Sequence, residues 1–196
     1  MKAILGLAPF LTALMVYLTA WLIMQPLTTG DEPHYFILAS SIVTDRDVDL
    51  SNNYEDDIIR RYYFIPEIVP YVIDIRGDGT WMSIHYIGLS LLISPILYLG
   101  GAVQAVRLEL ILISAVLAHQ TFRLLEDTRI AERALIWPVW ASVALCLPLL
   151  AYSNQVFPEI TAALLTVYGA RVVFAREPSI QSLWLAAGAA APPEWR

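Results

Sequence analysis

The stretch Ile84-His85-Tyr86-Ile87-Gly88-Leu89-Ser90-Leu91-Leu92-Ile93-Ser94-Pro95-Ile96-Leu97-Tyr98-Leu99-Gly100-Gly101 decides the fold of this chain. Continued to Val106, it reaches the roughly 20 apolar residues that a membrane-spanning helix needs. Gly88, Pro95 and Gly100-Gly101 break it, and His85, Tyr86 and Tyr98 give it polar edges. Such a segment suits a juxtamembrane helix lying in the membrane interface. Whether it crosses sets the side of everything that follows. If it crosses, the Arg-rich segments Arg123–Arg133 and Arg171–Arg176 lie outside, against the preference of basic residues for the cytoplasmic side. If it does not, both become cytoplasmic and one acidic loop stays external. The second topology is the one expected.

Upstream, Ala3–Pro26 carries no charge and ends in Met24-Gln25-Pro26-Leu27. It is longer than the about 7–15-residue apolar region of a signal peptide and reads as an uncleaved anchor. Lys2 precedes it, which puts the N-terminus in the cytoplasm. Downstream lie Leu108–Phe122, Leu135–Tyr152 and Ile160–Phe174. The expected fold is an all-α membrane protein with about four transmembrane helices, near 4–26, 105–123, 135–152 and 159–175. The organisation is a first transmembrane helix (1–26), an external catalytic-type loop with interfacial helices (27–104), three further transmembrane helices with short loops (105–180), and a truncated apolar tail (181–196).

Composition agrees. Of 196 residues, 58% are hydrophobic and 15% charged, and the mean hydropathy is +0.59. Soluble chains run near about a quarter charged, so a soluble globular domain is excluded. A net charge of −6 argues against a nucleic-acid partner, which needs a basic face. From Asp31 to Asp78 there are eleven acids and four arginines, a local charge of −7, so the acidity belongs to the external loop. Cys146 is the single cysteine, excludes an intrachain disulfide, and is expected in the core.

Within the loop, Gly30-Asp31-Glu32-Pro33 marks a helix start, with Asp31 as N-cap and proline in the first turn. Tyr35, Phe36, Leu38, Ile42 and Val43 form the apolar positions of a helix over His34–Thr44. Tyr62–Ile75 is expected to be extended, and Arg76-Gly77-Asp78-Gly79 a turn.

Asp31 and Glu32 are the first candidates for chemistry. Two adjacent carboxylates at a helix N-terminus just outside a span can supply a general base for an acceptor hydroxyl or amine; an ordinary acidic helix start is the alternative. Asp45, Asp47 and Asp49 alternate as oxygen ligands of a hard cation can, though solvated turn acids are the commoner reading. Glu159 heads a span after Phe157-Pro158, as a functional boundary acid or a simple cap. His85 and Tyr86 precede the interfacial helix and serve either as ligands or as interface hydrogen-bonding groups. Arg107 faces outer headgroups, as a phosphate ligand or a snorkelling anchor. Arg60-Arg61 could do the same job. Trp137 and Trp140 read as interface belt residues.

Together these features resemble the N-terminal part of a bacterial GT-C-type membrane glycosyltransferase of the protein-mannosyltransferase-like and lipid-A-modifying group. The resemblance rests on a single N-terminal span followed by Gly30-Asp31-Glu32-Pro33-His34-Tyr35, the segment Leu38–Tyr54 with its alternating aspartates, and His85-Tyr86-Ile87-Gly88 opening a broken apolar helix. It also includes Arg107 at a span and Phe157-Pro158-Glu159 two spans on, and it covers about residues 1–180. It implies a polyprenyl-phosphate-sugar donor and inverting transfer on the external face of the bacterial inner membrane. It further implies Asp31 as the catalytic acid and Glu32 as its neighbour, orienting the acceptor or a metal. Glu159 would match the acid of the second external loop, and Arg107 would be a donor-phosphate ligand. A divalent cation, Mg or Mn, is left open, with Asp31 and Glu159 as candidate ligands. Members of the family are longer, so a truncated product is expected, with a separate chain possible as the supplier of further helices. The rival readings are a non-catalytic fragment or accessory protein whose acidic loop binds a partner, and a transporter fragment. The spans' charge-free centres disfavour the transporter.

Overall fold

Helix α1 runs over Ala8–Met24 and closes on Gln25, whose left-handed backbone (φ 39°) returns its N–H to the Trp21 carbonyl just before Pro26. This is a computed structural model, and it describes residues 6–54, 68–128 and 132–174. The described residues are mostly helical. They continue as α2 (Glu32–Thr44), strands β1 (Val72–Ile73) and β2 (Met82–Ser83), α3 (Ile87–Tyr98) and α4 (Val103–Thr128). A 3-10 turn at Arg133–Leu135 leads into α5 (Ile136–Ala144), α6 (Leu149–Tyr152) and α7 (Glu159–Phe174). They form two compact units. One holds Pro26–Glu109 with Gln155–Pro158, and the other holds Met1–Gln25, Leu110–Asn154 and Glu159–Arg196.

In the α1-containing unit, a core of Ala13, Tyr17, Ile111, Ala115, Ala118, Phe122, Ile136, Trp140 and Ala144 packs α1, α4 and α5 together. Small residues at Ala13, Ala115, Ala118 and Ala144 let the backbones approach closely. α4 and α5 form an antiparallel pair, since Trp140 Nε1 donates to the Ala118 carbonyl at 2.7 Å while Phe122 meets Trp137 at 4.8 Å between ring centroids. α4 and α7 share their C-terminal ends, where Arg171 Nε donates to Asp127 at 2.7 Å and Arg171 Nη1 to Gln120 at 2.6 Å. Trp140 is therefore a core residue, 1% exposed, and not the belt residue expected, while Trp137 stays 43% exposed.

Of the four expected spans, α4 alone among the described residues is long and apolar enough to cross a membrane. Its 26 residues reach about 39 Å at 1.5 Å per residue. α1 and α7, with 17 and 16 residues, are shorter helices. The segment 135–152 is not one helix. It breaks between Ala144 and Leu149, because Pro148 has no N–H to give the Ala144 carbonyl and its ring disfavours a continuing helix. Tyr17 fills that vacancy, its hydroxyl donating to the Ala144 carbonyl at 2.6 Å from a fully buried position. Tyr17→Phe should orphan this carbonyl and cost about 1–3 kcal/mol, read as a lower unfolding midpoint in detergent. An unchanged midpoint would show the bond to be dispensable. Cys146 lies in this break and is exposed, not in the core as expected.

In the other unit, α2 packs on α3, and Ser90 Oγ donates to the Tyr35 carbonyl at 3.0 Å across that pair. Ile37, Leu38 and Leu50 form a small core supported by Val48, Tyr54, Val72 and Trp81. α3 has 12 residues, about 18 Å of helix against a hydrocarbon thickness of about 30 Å. It ends where sequence reading places a break. Gly100 takes φ 78°, and a Cβ on Gly101 would come within 2.7 Å of the Ile96 carbonyl oxygen, so a bare glycine is needed there. β1 and β2 pair antiparallel, Val72 with Ser83 and Ile73 with Met82. The expected turn joins them, with Asp74 accepting the Gly77 and Gly79 N–H groups at 2.6 and 3.1 Å. The expected extended reading of Tyr62–Glu67, the Arg60-Arg61 pair, Lys2 and the 181–196 tail lie outside the described residues.

Candidate functional site

The loop that follows α1 builds its site from the turn that starts α2. Gly30 adopts φ 58°, a left-handed conformation that glycine enters without strain, and this sets the angle at which the chain enters the helix. Glu32 then reaches back. Its Oε2 accepts the Thr29 N–H at 2.8 Å, while the Glu32 N–H donates to the Thr29 carbonyl at 3.2 Å. The side chain of the first helical residue thus reaches back to the N–H three residues earlier and closes the turn. Glu32 Oε1 accepts the Val156 N–H at 2.6 Å, and Arg107 Nη2 stands 3.5 Å from Oε2. The Arg107 guanidinium also donates to the Pro26 carbonyl through Nη1 and to Thr28 Oγ1 at 3.4 Å through Nη2. Glu32 is 0% and Arg107 1% exposed.

These partners give Glu32 and Arg107 a structural role in the loop. Burial pushes the Glu32 carboxyl above the ordinary range, against the Val156 and Thr29 amides and the Arg107 charge, which favour the carboxylate. With both oxygens occupied by backbone donors, Glu32 is a structural tie joining the 26–32 turn, the 155–158 segment and Arg107. Each of its oxygens accepts one backbone N–H, and the side chain is buried away from solvent. The Arg107 guanidinium, expected to face outer headgroups, is buried, with Nη1 and Nη2 directed to Pro26, Thr28 and Glu32 and Nε left without a hydrogen-bond partner.

Asp31 is different. It is half-buried at the N-cap position, yet its side chain makes no capping hydrogen bond. Its charge is felt by His34, one turn later on the same helix face. His34 is 4% exposed and sits among aromatic rings. Its Nδ1 is 2.8 Å from the Tyr54 hydroxyl, and its ring stacks on Tyr71 at 4.7 Å and 13° and on His85 at 5.3 Å and 27°. Tyr35 packs on His85 at 5.0 Å. Burial, helped by His85, pushes the His34 imidazole down to about 4, with Asp31 opposing. Burial raises Tyr54 to about 12. At neutral pH both are uncharged.

The sign of this shift fixes a pH dependence. The unfolded chain takes up the His34 proton below about 6.5 and the folded chain only near 4, so acid favours unfolding by up to about 3 kcal/mol across that window. His34→Phe, which keeps a ring in the stack, should lose less stability than the wild type between pH 7 and 4.5 in equilibrium unfolding. Parallel curves would contradict the burial of a neutral imidazole.

The structure brings Asp31 and the expected His85 into one unit with His34, Tyr54 and Tyr71, three residues that sequence reading did not single out. Tyr86, expected beside His85 as a ligand, is 74% exposed and outside this ring cluster. Glu159 is exposed on the first turn of α7, in the other unit. The alternating aspartates organise their loop. Asp45 accepts from Asn53 at 2.7 Å, Asp47 from the Ser41 hydroxyl at 3.0 Å and the Asp49 N–H at 3.1 Å, and Asp49 from the Ser51 and Trp81 N–H groups, each at 3.0 Å. These last two bonds hold the Asp49 carboxyl below its ordinary value.

Among the described residues no group of three or more His, Cys, Asp or Glu side chains is placed to hold a metal ion. Asp31 lies in one compact unit and Glu159 in the other.

The arrangement is one half-buried carboxylate with no capping duty, held beside a neutral imidazole and a set of rings, on a turn fixed by a buried ion pair. No family model, no curated protein and no solved structure matches the chain.

Proposed function

We propose that this chain carries the catalytic loop of a membrane glycosyltransferase that moves a sugar from a polyprenyl-phosphate donor to an acceptor on the external membrane face. Asp31 is its general base. The observation that carries this reading is the division within the Asp31-Glu32 pair. Glu32 is fully buried and bonded, which fixes the turn, and Asp31 is left half-exposed without a capping role. A base needs this combination of rigid placement and an available lone pair.

In the reaction, the acceptor oxygen or nitrogen attacks the anomeric carbon on the face opposite the phosphate. The bond from carbon to phosphate oxygen breaks, polyprenyl phosphate leaves with that electron pair, and the configuration inverts. Asp31 takes the acceptor's proton and later releases it to water. One base suffices because phosphate is a fair leaving group, unlike the sugar alkoxide that makes glycoside hydrolases use two carboxylates.

A membrane setting is supported by α4, by the 12-residue α3 with exposed Ile87, Leu91, Tyr98 and Leu99, and by the shared end of α4 and α7. Arg171 of α7 meets Asp127 and Gln120 of α4 at that end, which is compatible with both helices ending on the side that basic residues prefer. The test is transfer from a panel of polyprenyl-phosphate-linked hexoses and pentoses by the wild type and by Asp31→Asn. The expected result is transfer that the substitution removes.

A further inference from the structure

Three described features outside the assigned base have a chemistry of their own. They are the apolar groove lined by Ile42, Val43, Leu91, Pro95, Tyr98 and Leu99, the Gln120–Asp127–Arg171 tie, and the His34 ring cluster. The groove has Arg46 at its rim but opens where α2 ends, beside Asp45 and Asp47, and nothing there selects an occupant. The tie is saturated. The ring cluster carries the argument furthest.

We propose that His34 is a positioning residue of the Asp31 site. The Tyr54 hydroxyl donates to His34 Nδ1 and thereby fixes the ring proton on Nε2, so that a neutral imidazole presents an N–H donor beside the base and cannot act as a second base. This rests on the glycosyltransferase reading for its role, but not for its chemistry.

Several observations lead there. The 2.8 Å contact joins a ring nitrogen to a hydroxyl. An imidazolium has no acceptor to offer, so the bond in which Tyr54 donates belongs to the neutral ring. Burial of His34 favours that neutral form, and burial of Tyr54 keeps its proton on oxygen. The Tyr71 amide also bonds the Tyr54 oxygen, which leaves the hydroxyl hydrogen for His34. Stacking on Tyr71 and His85 holds the ring plane. The charged and titratable groups facing His34 are Asp31 from its own helix, Tyr54 from the following loop, Tyr71 before β1 and His85 before α3. Asp31 is the one carboxylate acting on it, and its charge favours the protonated ring, against burial and His85. A ring nitrogen whose tautomer is set by its other nitrogen is the usual way a protein makes histidine a fixed donor.

The test uses the full chain in detergent micelles, labelled with 15N in histidine. The chain has three histidines, and His34→Gln assigns the signal. At pH 7 the wild-type His34 should show an unprotonated Nδ1 and a protonated Nε2. In Tyr54→Phe, which keeps the ring and removes the donor, it should shift to a mixture of tautomers. A proton on Nδ1 in the wild type, a charged ring at pH 7, or an unchanged tautomer in Tyr54→Phe would each overturn the proposal.

Transfer assays supply the second arm. Glutamine carries its amide N–H near the Nε2 position and asparagine near Nδ1. His34→Gln should therefore keep transfer within about threefold, while His34→Asn loses about tenfold or more. Equal losses in both, at wild-type stability, would overturn the positioning role. If the wild type transfers no sugar, the glycosyltransferase reading fails, while the tautomer measurement still decides the chemistry of the pair.

Discussion

Arg107→Met should destabilise the loop unit by about 3–5 kcal/mol, the cost of leaving a buried charge without its partner. The methionine fills the space of the arginine stem, so the loss reports charge and hydrogen bonds more than volume. Glu32 would remain at 0% exposure with only the Thr29 and Val156 amides to stabilise its charge. The Pro26 carbonyl and Thr28 hydroxyl would lose their donor as well. Glu32→Gln alone should also destabilise, because one amide oxygen cannot accept from both backbone donors while its NH2 group faces the other. The double variant should recover a good part of the loss, since replacing both members of a buried pair is far milder than removing one. Tryptophan fluorescence during unfolding reads this directly, because Trp81 packs against the small core of the same unit. A loss below about 1 kcal/mol for Arg107→Met, the level of an exposed pair, would mean that the pair is solvated.

Asp31→Asn should do the opposite, leaving stability intact and removing function. The half-buried side chain holds no cap, so the change in stability should stay within about 0.5 kcal/mol. Asparagine matches the carboxylate in shape but cannot accept the acceptor's proton. General-base catalysis contributes about 10²–10⁴-fold, and that factor should be lost from the turnover rate. On the proposed glycosyltransferase reading, binding of the lipid-linked donor should hardly change, because a base at Asp31 would act on the acceptor. A parallel fall in donor affinity would point to a binding role for Asp31.

Much of the loop was legible in the sequence because its signals are local. Gly30, Asp31 and Pro33 mark the start of α2, and the interruptions at Pro95 and Gly100-Gly101 mark a helix too short to span. The aspartates at 45, 47 and 49 read as turn acids, and hydrogen bonds within the loop give them that role. The fate of Glu32 was not legible in this way. One of its partners, Val156, is 124 residues away, and nothing in a linear pattern couples them. Its nearer bond, to the Thr29 N–H three residues back, is local and closes the turn before α2. Pro148 likewise stood in plain view. A hydropathy window counts it as a mild interruption, whereas the backbone loses an N–H there and Tyr17 must supply the bond. His34 was passed over because a lone histidine in a helix carries no pattern. Its partners Tyr54, Tyr71 and His85 meet it only through tertiary packing.

Asp31 and Glu32 are adjacent carboxylates with opposite surroundings, one half-buried without a capping bond and the other fully buried and bonded. One measurement separates them. It compares sugar transfer and unfolding side by side for the wild type, Asp31→Asn and Glu32→Gln, reconstituted in the same lipid with the same panel of polyprenyl-phosphate sugars. The account predicts that Asp31→Asn unfolds like the wild type and loses transfer by about 10²-fold or more, and that Glu32→Gln loses stability first. Full transfer by Asp31→Asn, no transfer by the wild type from any donor, or an inactive Glu32→Gln with wild-type stability would contradict it.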